Sequence, residues 1–133
     1  MFVYAIHAEP SLVVARFAGS VNSADILRFF AQLDADPAYE RSMNGLVDLR
    51  EALPALEPEE LKGLADDAVE RKLKRGRWAL LVEQPRATAL SMLYTKAVAA
   101  RYRLKVFSTL DGLSEYLGID ARPYLSPRSG DSD

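Results

Sequence analysis

The chain predicts a single α/β domain: a mostly parallel five-stranded sheet with an antiparallel N-terminal edge strand and about four helices. Three observations carry this. Residues 44–50, Asn-Gly-Leu-Val-Asp-Leu-Arg, form a short apolar run between turn residues and end in a charged pair, the pattern of a buried parallel strand that delivers Asp48 and Arg50 to the rim of a sheet. The segments that follow alternate helix, strand and helix. The N-terminus holds two apolar runs, residues 2–7 and 12–17, across a Glu9-Pro10 break, which read as an antiparallel hairpin closed by Gly19.

Asn22 followed three residues later by Asp25 is a capping-box start for a first helix, with Ile26, Leu27, Phe30 and Leu33 on its inner face and Asp36-Pro37 at its end. Tyr39 and Met43 are expected to pack down from the connector. After the central strand, residues 53–56 read as a non-helical link. Pro58 opens a second helix, Glu59 and Glu60 suit its positive end, and Leu61, Leu64, Ala65, Ala68 and Leu73 keep helical spacing toward a stop at Gly76. Residues 78–82 are apolar throughout, so they are expected to be buried on both faces. A long helix follows from Pro85 to about Tyr102, then a fifth strand at residues 103–107. A short helix carrying Leu110, Leu113 and Leu117 ends at Gly118-Ile119, a Schellman-type stop. The domain is expected over residues 1–119. Residues 120–133 are expected to form a disordered C-terminal tail, too polar to repay its ordering entropy.

Composition narrows the function classes. A chain of 133 residues suits one domain, and roughly two-thirds of the unfolded surface of such a chain is buried on folding. Hydrophobic residues at 49% and charged residues at 27% match a soluble globular protein. A net charge of −2 argues against a nucleic-acid binder. The one basic run, Arg71, Lys72, Lys74, Arg75 and Arg77, has no interleaved aromatic platform and suits a solvated helix end. With no cysteine there is no disulfide, thiolate metal site or cysteine nucleophile. The N-terminal residues lack a basic n-region, and no apolar run approaches about 18 residues, so neither a signal peptide nor membrane insertion is expected, and the cytoplasm is the expected location.

Catalytic motifs are missing. The single histidine, His7, sits on the first strand with no triad partners or ligand spacing, and the seven glycines fit no phosphate loop. No metal, cofactor or enzymatic activity is therefore expected. Ligands of parallel sheets collect beyond the strand C-termini, and that edge gathers Asp48, Arg50, Gln84, Arg86 and Ser108 as candidate ligand-binding residues. Alternatively these residues pair with neighbours or cap helices. The long helix is apolar over more than the roughly 100° that one packing face needs. Either it is wedged between the sheet and a neighbouring element, or Met92, Leu93 and Lys96 lie on an interaction surface.

The order of elements resembles the SpoIIAA-like (STAS) family. The residues that carry the likeness are the second strand at 12–19, Asp36-Pro37, the central run at 46–50, residues 89–94, and Val106-Phe107-Ser108-Thr109-Leu110-Asp111-Gly112-Leu113. The resemblance implies a non-enzymatic regulatory or protein-interaction domain. Regulatory members carry a phosphorylatable serine at the start of the helix after the central strand. Here that region reads Leu56-Glu57-Pro58-Glu59, and no serine or threonine lies between Arg50 and Arg86, so the phosphoserine switch is not expected. The expected partner is another protein or a second copy of the chain. The alternative is a small-ligand or lipid-binding module using the groove at the strand C-termini.

Overall fold

The computed structural model describes residues 1–72 and 75–125. In chain order it runs β1 (Phe2–His7), β2 (Leu12–Val21), α1 (Ser23–Ala35), β3 (Asn44–Pro54), α2 (Pro58–Arg71), β4 (Arg77–Leu81), α3 (Pro85–Val98), β5 (Arg103–Phe107) and α4 (Leu110–Leu117), then a 3₁₀ turn at Arg122–Tyr124. The five strands lie in sequence order. β1 pairs antiparallel with β2, and the other pairings are parallel.

Two apolar layers sandwich the sheet. On one face Phe29, Phe30 and Leu33 of α1, Ala65 and Ala68 of α2 and Val98 of α3 pack on Val13, Ala15, Phe17, Val47, Trp78 and Leu80. On the other face Leu113 and Leu117 of α4 pack with Ala121 on Leu12, Leu46, Ala79 and Leu81. β4 serves both layers, which is why its apolar residues do not alternate with polar ones.

Local signals act as the sequence predicts at several places. Asn22 Oδ1 accepts from Asp25 N at 3.0 Å while Asn22 N donates to Asp25 Oδ2 at 3.0 Å, a reciprocal capping box. Met43 is buried and Tyr39 packs on the larger core. Gly118 takes φ 75°, and the N–H groups of Gly118 and Ile119 both reach Ser114 O.

Other expectations are corrected. Gly19 does not close β2. At φ 70° it carries the strand on to Val21, and residues 53–54 extend β3 beside it instead of forming a link. On α1 the buried aromatic pair is Phe29 and Phe30, whereas Leu27 is exposed. α2 ends at Arg71 with Lys72 at φ 52°, so Gly76 is not its cap; a Cβ at Gly76 would collide with the Met43 backbone. Leu73 and Lys74 lie outside the described residues. α3 stops at Val98, and Tyr102 turns inward to donate its hydroxyl proton to Ala68 O. Residues 120–125, expected in the tail, belong to the fold: Ala121 is fully buried, Ser114 Oγ accepts from Ala121 N at 3.0 Å, and Tyr124 meets the His7 ring edge-on at 5.0 Å. The remaining tail, residues 126–133, lies outside the described residues.

Candidate functional site: an apolar cavity under the helices

The extended β2–β3 ladder forms one side of an apolar cavity. Past Arg16 a bulge sets one residue of β2 against two of β3, and both strands then run on to Val21 and Pro54. This carries Val21, Ala52 and Pro54 beyond the four-residue ladder that β3 shares with β4. Helices α1–α3 cover the extension, and between them and the sheet lies a cavity of about 130 Å³.

Each wall follows from its local sequence. The sheet contributes Phe17, Val47, Leu49, Ala52, Trp78, Leu80 and Leu104. Alternation places Val47 and Leu49 on this face and Asp48 on the other. Ile26, Phe29 and Phe30 come from α1, and Leu61 and Leu64 from α2. Ala87, Leu90, Ser91 and Tyr94 come from α3 at the i, i+3, i+4, i+7 spacing of one helix face. Leu56, on the link from β3 to α2, closes over Leu61, Leu64 and Leu90. Arg86 Nη2 holds that link by donating to Leu56 O at 2.8 Å, and Ser23 Oγ donates to Glu60 Oε1 at 3.1 Å between α1 and α2.

Among the described residues, no Lys, Arg, His, Asp or Glu lines the cavity. Its polar side chains are Ser91, Tyr94, Tyr102 and the Trp78 indole. The Tyr94 hydroxyl is buried and, among the described residues, has no hydrogen-bond partner. Burial, with smaller contributions from Tyr102 and Asp67, holds its pKa above the ordinary tyrosine value of 10.0.

The residues expected at the strand C-termini fall elsewhere. Asp48 is 2% exposed, and Arg50 engages both of its oxygens. Arg50 N and Nε each donate to Oδ1 at 3.0 Å, and Nη2 donates to Oδ2 at 2.9 Å. This bidentate pair stands on the α4 side of the sheet, next to the Arg16–Glu51 ion pair. Gln84 is the N-cap of α3, Arg86 clamps the Leu56 link, and Ser108 is exposed after β5. None of the five lines the cavity. On the outer face of α3, Met92 is 60% and Leu93 49% exposed, with Lys96 exposed beside them.

Sequence reasoning missed the cavity residues. The available signal was the Ala87–Ser91–Tyr94 spacing on α3, which sets a hydroxyl and a phenol among apolar neighbours. The convergence of three helices on the β2–β3 extension is a property of tertiary structure and leaves no local mark.

The architecture is that of a SpoIIAA-like α/β protein. The chain is similar to a solved structure of an uncharacterised protein of the DUF3478 family, with a SpoIIAA-like fold, from Shewanella loihica PV-4. The TM-score is 0.60 at 11% identity, over 87% of this chain and 93% of that one. No known family profile matches the sequence. No curated protein matches it either. Among the described residues no helix is long and apolar enough to cross a membrane.

Proposed function

We propose that this chain is a non-enzymatic binding domain whose cavity holds a small, mostly hydrocarbon ligand between the sheet and helices α1–α3. The observation that carries this reading is the apolar space of about 130 Å³. Protein interiors leave few voids larger than a water molecule, so an apolar space of this size is unusual in a domain core. An engineered apolar cavity of about 150 Å³ in another protein stays dry and takes up benzene, so the scale suits a single small ring or a short chain. On this reading the ligand sits under the helices and not in the groove at the strand C-termini. The non-enzymatic part of the reading is supported by Asp48, the best-placed candidate base, having both oxygens committed to Arg50. The link at Leu56-Glu57-Pro58-Glu59 offers no hydroxyl for phosphorylation, so the proposed domain works by occupancy of its cavity and not by a phosphoserine switch.

The test uses the chain's single tryptophan, Trp78, whose ring lines the cavity. Titration with toluene is expected to give a saturable, one-to-one change in Trp78 emission. Ala87→Leu, which fills the space from α3, is expected to abolish it while the protein stays folded. Toluene that fails to saturate the wild-type signal contradicts the reading.

A second reading is a protein-interaction surface on α3, which gives a homodimer or a contact with another protein. It is favoured by the adjacent exposure of Met92 and Leu93. Sedimentation of the wild type against Met92→Lys tests it: a dimer that the lysine dissociates is expected, and a wild-type monomer at all concentrations removes the homodimer.

A further inference from the structure

We propose that β1 is a pairing edge that takes β1 of a second copy of this chain, antiparallel, so that two sheets join into one across a two-fold axis at Tyr4. The proposal does not rest on the cavity, and it uses a surface other than the outer face of α3.

The two edges of the sheet are guarded unequally. A free strand edge presents unpaired N–H and C=O groups, and proteins blunt it with charges, proline, a bulge or a covering contact. β5, at one edge, places Arg103 and Lys105 in solvent, and the Tyr116 hydroxyl donates to Arg103 O at 2.9 Å. β1, at the other edge, reads Phe-Val-Tyr-Ala-Ile-His. It has no proline, Lys, Arg, Asp or Glu, and its ladder with β2 runs without a bulge. Val3 is 58% exposed, with Ala5 exposed beside it.

The register makes this edge self-complementary. Ala18 N donates to Met1 O at 3.0 Å and Met1 N to Ala18 O at 3.5 Å, so Met1 and Ala18 are a hydrogen-bonded pair. Antiparallel ladders alternate such pairs with non-hydrogen-bonded ones. Val3, Ala5 and His7 therefore spend their backbone groups on Arg16, Val14 and Leu12, while Phe2, Tyr4 and Ile6 turn theirs outward. About a two-fold axis at Tyr4, Phe2 meets the partner's Ile6 and Tyr4 meets the partner's Tyr4, so each outward N–H and C=O finds a mate. The same register sets Val3 opposite the partner's Ala5 in the closer, non-hydrogen-bonded geometry. The exposed valine is then covered by a small side chain, and no like charges meet on the strand.

The flanking charges are complementary under the same rotation. Tyr4 Oη donates to Asp36 Oδ2 at 2.8 Å, which sets the C-terminal end of α1 over Tyr4 and so beside the axis. The two copies of α1 run antiparallel over the seam, and the Arg28 end of each faces the Asp36 end of the other. The Arg28 side chain is 60% exposed. A preformed strand also suits this edge better than a flexible segment of another protein, which loses conformational entropy on pairing.

Sedimentation equilibrium of the full chain, with amide hydrogen exchange read by NMR, tests the proposal on the wild type, Val3→Lys and Met92→Lys. The Val3 side chain stands in solvent, so the lysine leaves the protomer folded, which circular dichroism checks; Ala5→Lys is the second variant on the same outer face. The wild type is expected to dimerise. Val3→Lys and Ala5→Lys are expected to stay monomeric at concentrations where the wild type is dimeric, and Met92→Lys to dimerise as the wild type does. The Tyr4 and Ile6 amides are expected to exchange slowly in the wild-type dimer and fast in Val3→Lys, while the His7 amide, bonded to β2, stays slow in both. A wild type that is monomeric at every concentration overturns the proposal, even if a strand of another protein pairs with β1. So do a dimer that survives both lysine variants, a dimer that Met92→Lys dissociates, and fast exchange at Tyr4 and Ile6 in the wild-type dimer. Toluene affinity is expected to be equal in Val3→Lys and the wild type, so the cavity reading and this proposal stand or fall separately.

Discussion

Gly45 and Trp78 stand opposite each other on the parallel strands β3 and β4, and the Trp78 indole occupies the space that a Cβ on residue 45 would need. The glycine lets the largest side chain of the core lie against the sheet, where its ring becomes part of the cavity wall. Gly45→Ala forces the indole or the strand to move. It is expected to lower stability by about 1–3 kcal/mol, the usual range for overpacking, and to alter Trp78 emission. Urea unfolding followed at the tryptophan measures both.

The Asp48–Arg50 pair is a structural tie within β3. Removing one partner of a buried pair leaves an uncompensated charge, so Asp48→Ala is expected to cost about 3 kcal/mol or more. Replacing both residues with leucine is expected to cost much less. Toluene affinity in the double variant should match the wild type, because neither residue lines the cavity. A large loss of binding in a stable double variant would return these two residues to the site.

Arg86 fastens the Leu56 link across the outer side of the cavity. Its guanidinium is half exposed and Glu57 stands 3.9 Å away, so the hydrogen bond to Leu56 O accounts for most of its effect. Arg86→Ala is expected to lower stability by about 0.5–1.5 kcal/mol and to speed toluene dissociation. Stopped-flow fluorescence reads the rate at Trp78.

Alkaline pH offers an independent probe of Tyr94. Burial holds its folded pKa above the unfolded value of 10.0. Below that pH both states keep the proton, and stability does not depend on this group. Above it the unfolded chain ionises first, so stability falls as pH rises, by up to about 1.4 kcal/mol per pH unit. Tyr94→Phe is expected to reduce that slope, and denaturant midpoints measured on either side of pH 10 check it.

Much of the fold is legible because its signals are local. The Asn22–Asp25 box, the Gly118-Ile119 stop and the two-sided burial of residues 78–81 each depend on a few neighbouring residues. The differences arise where distant residues decide. Leu27 and Phe29 compete for the inner face of α1, and Phe29 prevails because Phe2, Tyr4 and Phe17 meet its ring at 5.6–5.8 Å. Gly19 reads as a strand end, yet the partner residue Ala52 keeps it in the ladder. Ala121 and Tyr124 look like a polar tail until α4 and His7 supply their neighbours. The cavity is hidden in the sequence for the same reason. The rule that ligands collect at strand C-termini pointed to charged rim residues, while the space itself opens among apolar side chains that read as ordinary core.

The central claim is an accessible apolar space between the sheet and α1–α3. Diffraction from crystals of the protein under xenon pressure tests it most directly, since xenon enters dry apolar cavities without needing a polar contact. A xenon site bounded by Leu49, Ala52, Leu90 and Tyr94 is the predicted result. Side chains closed over that region, with no xenon between them, would contradict the account.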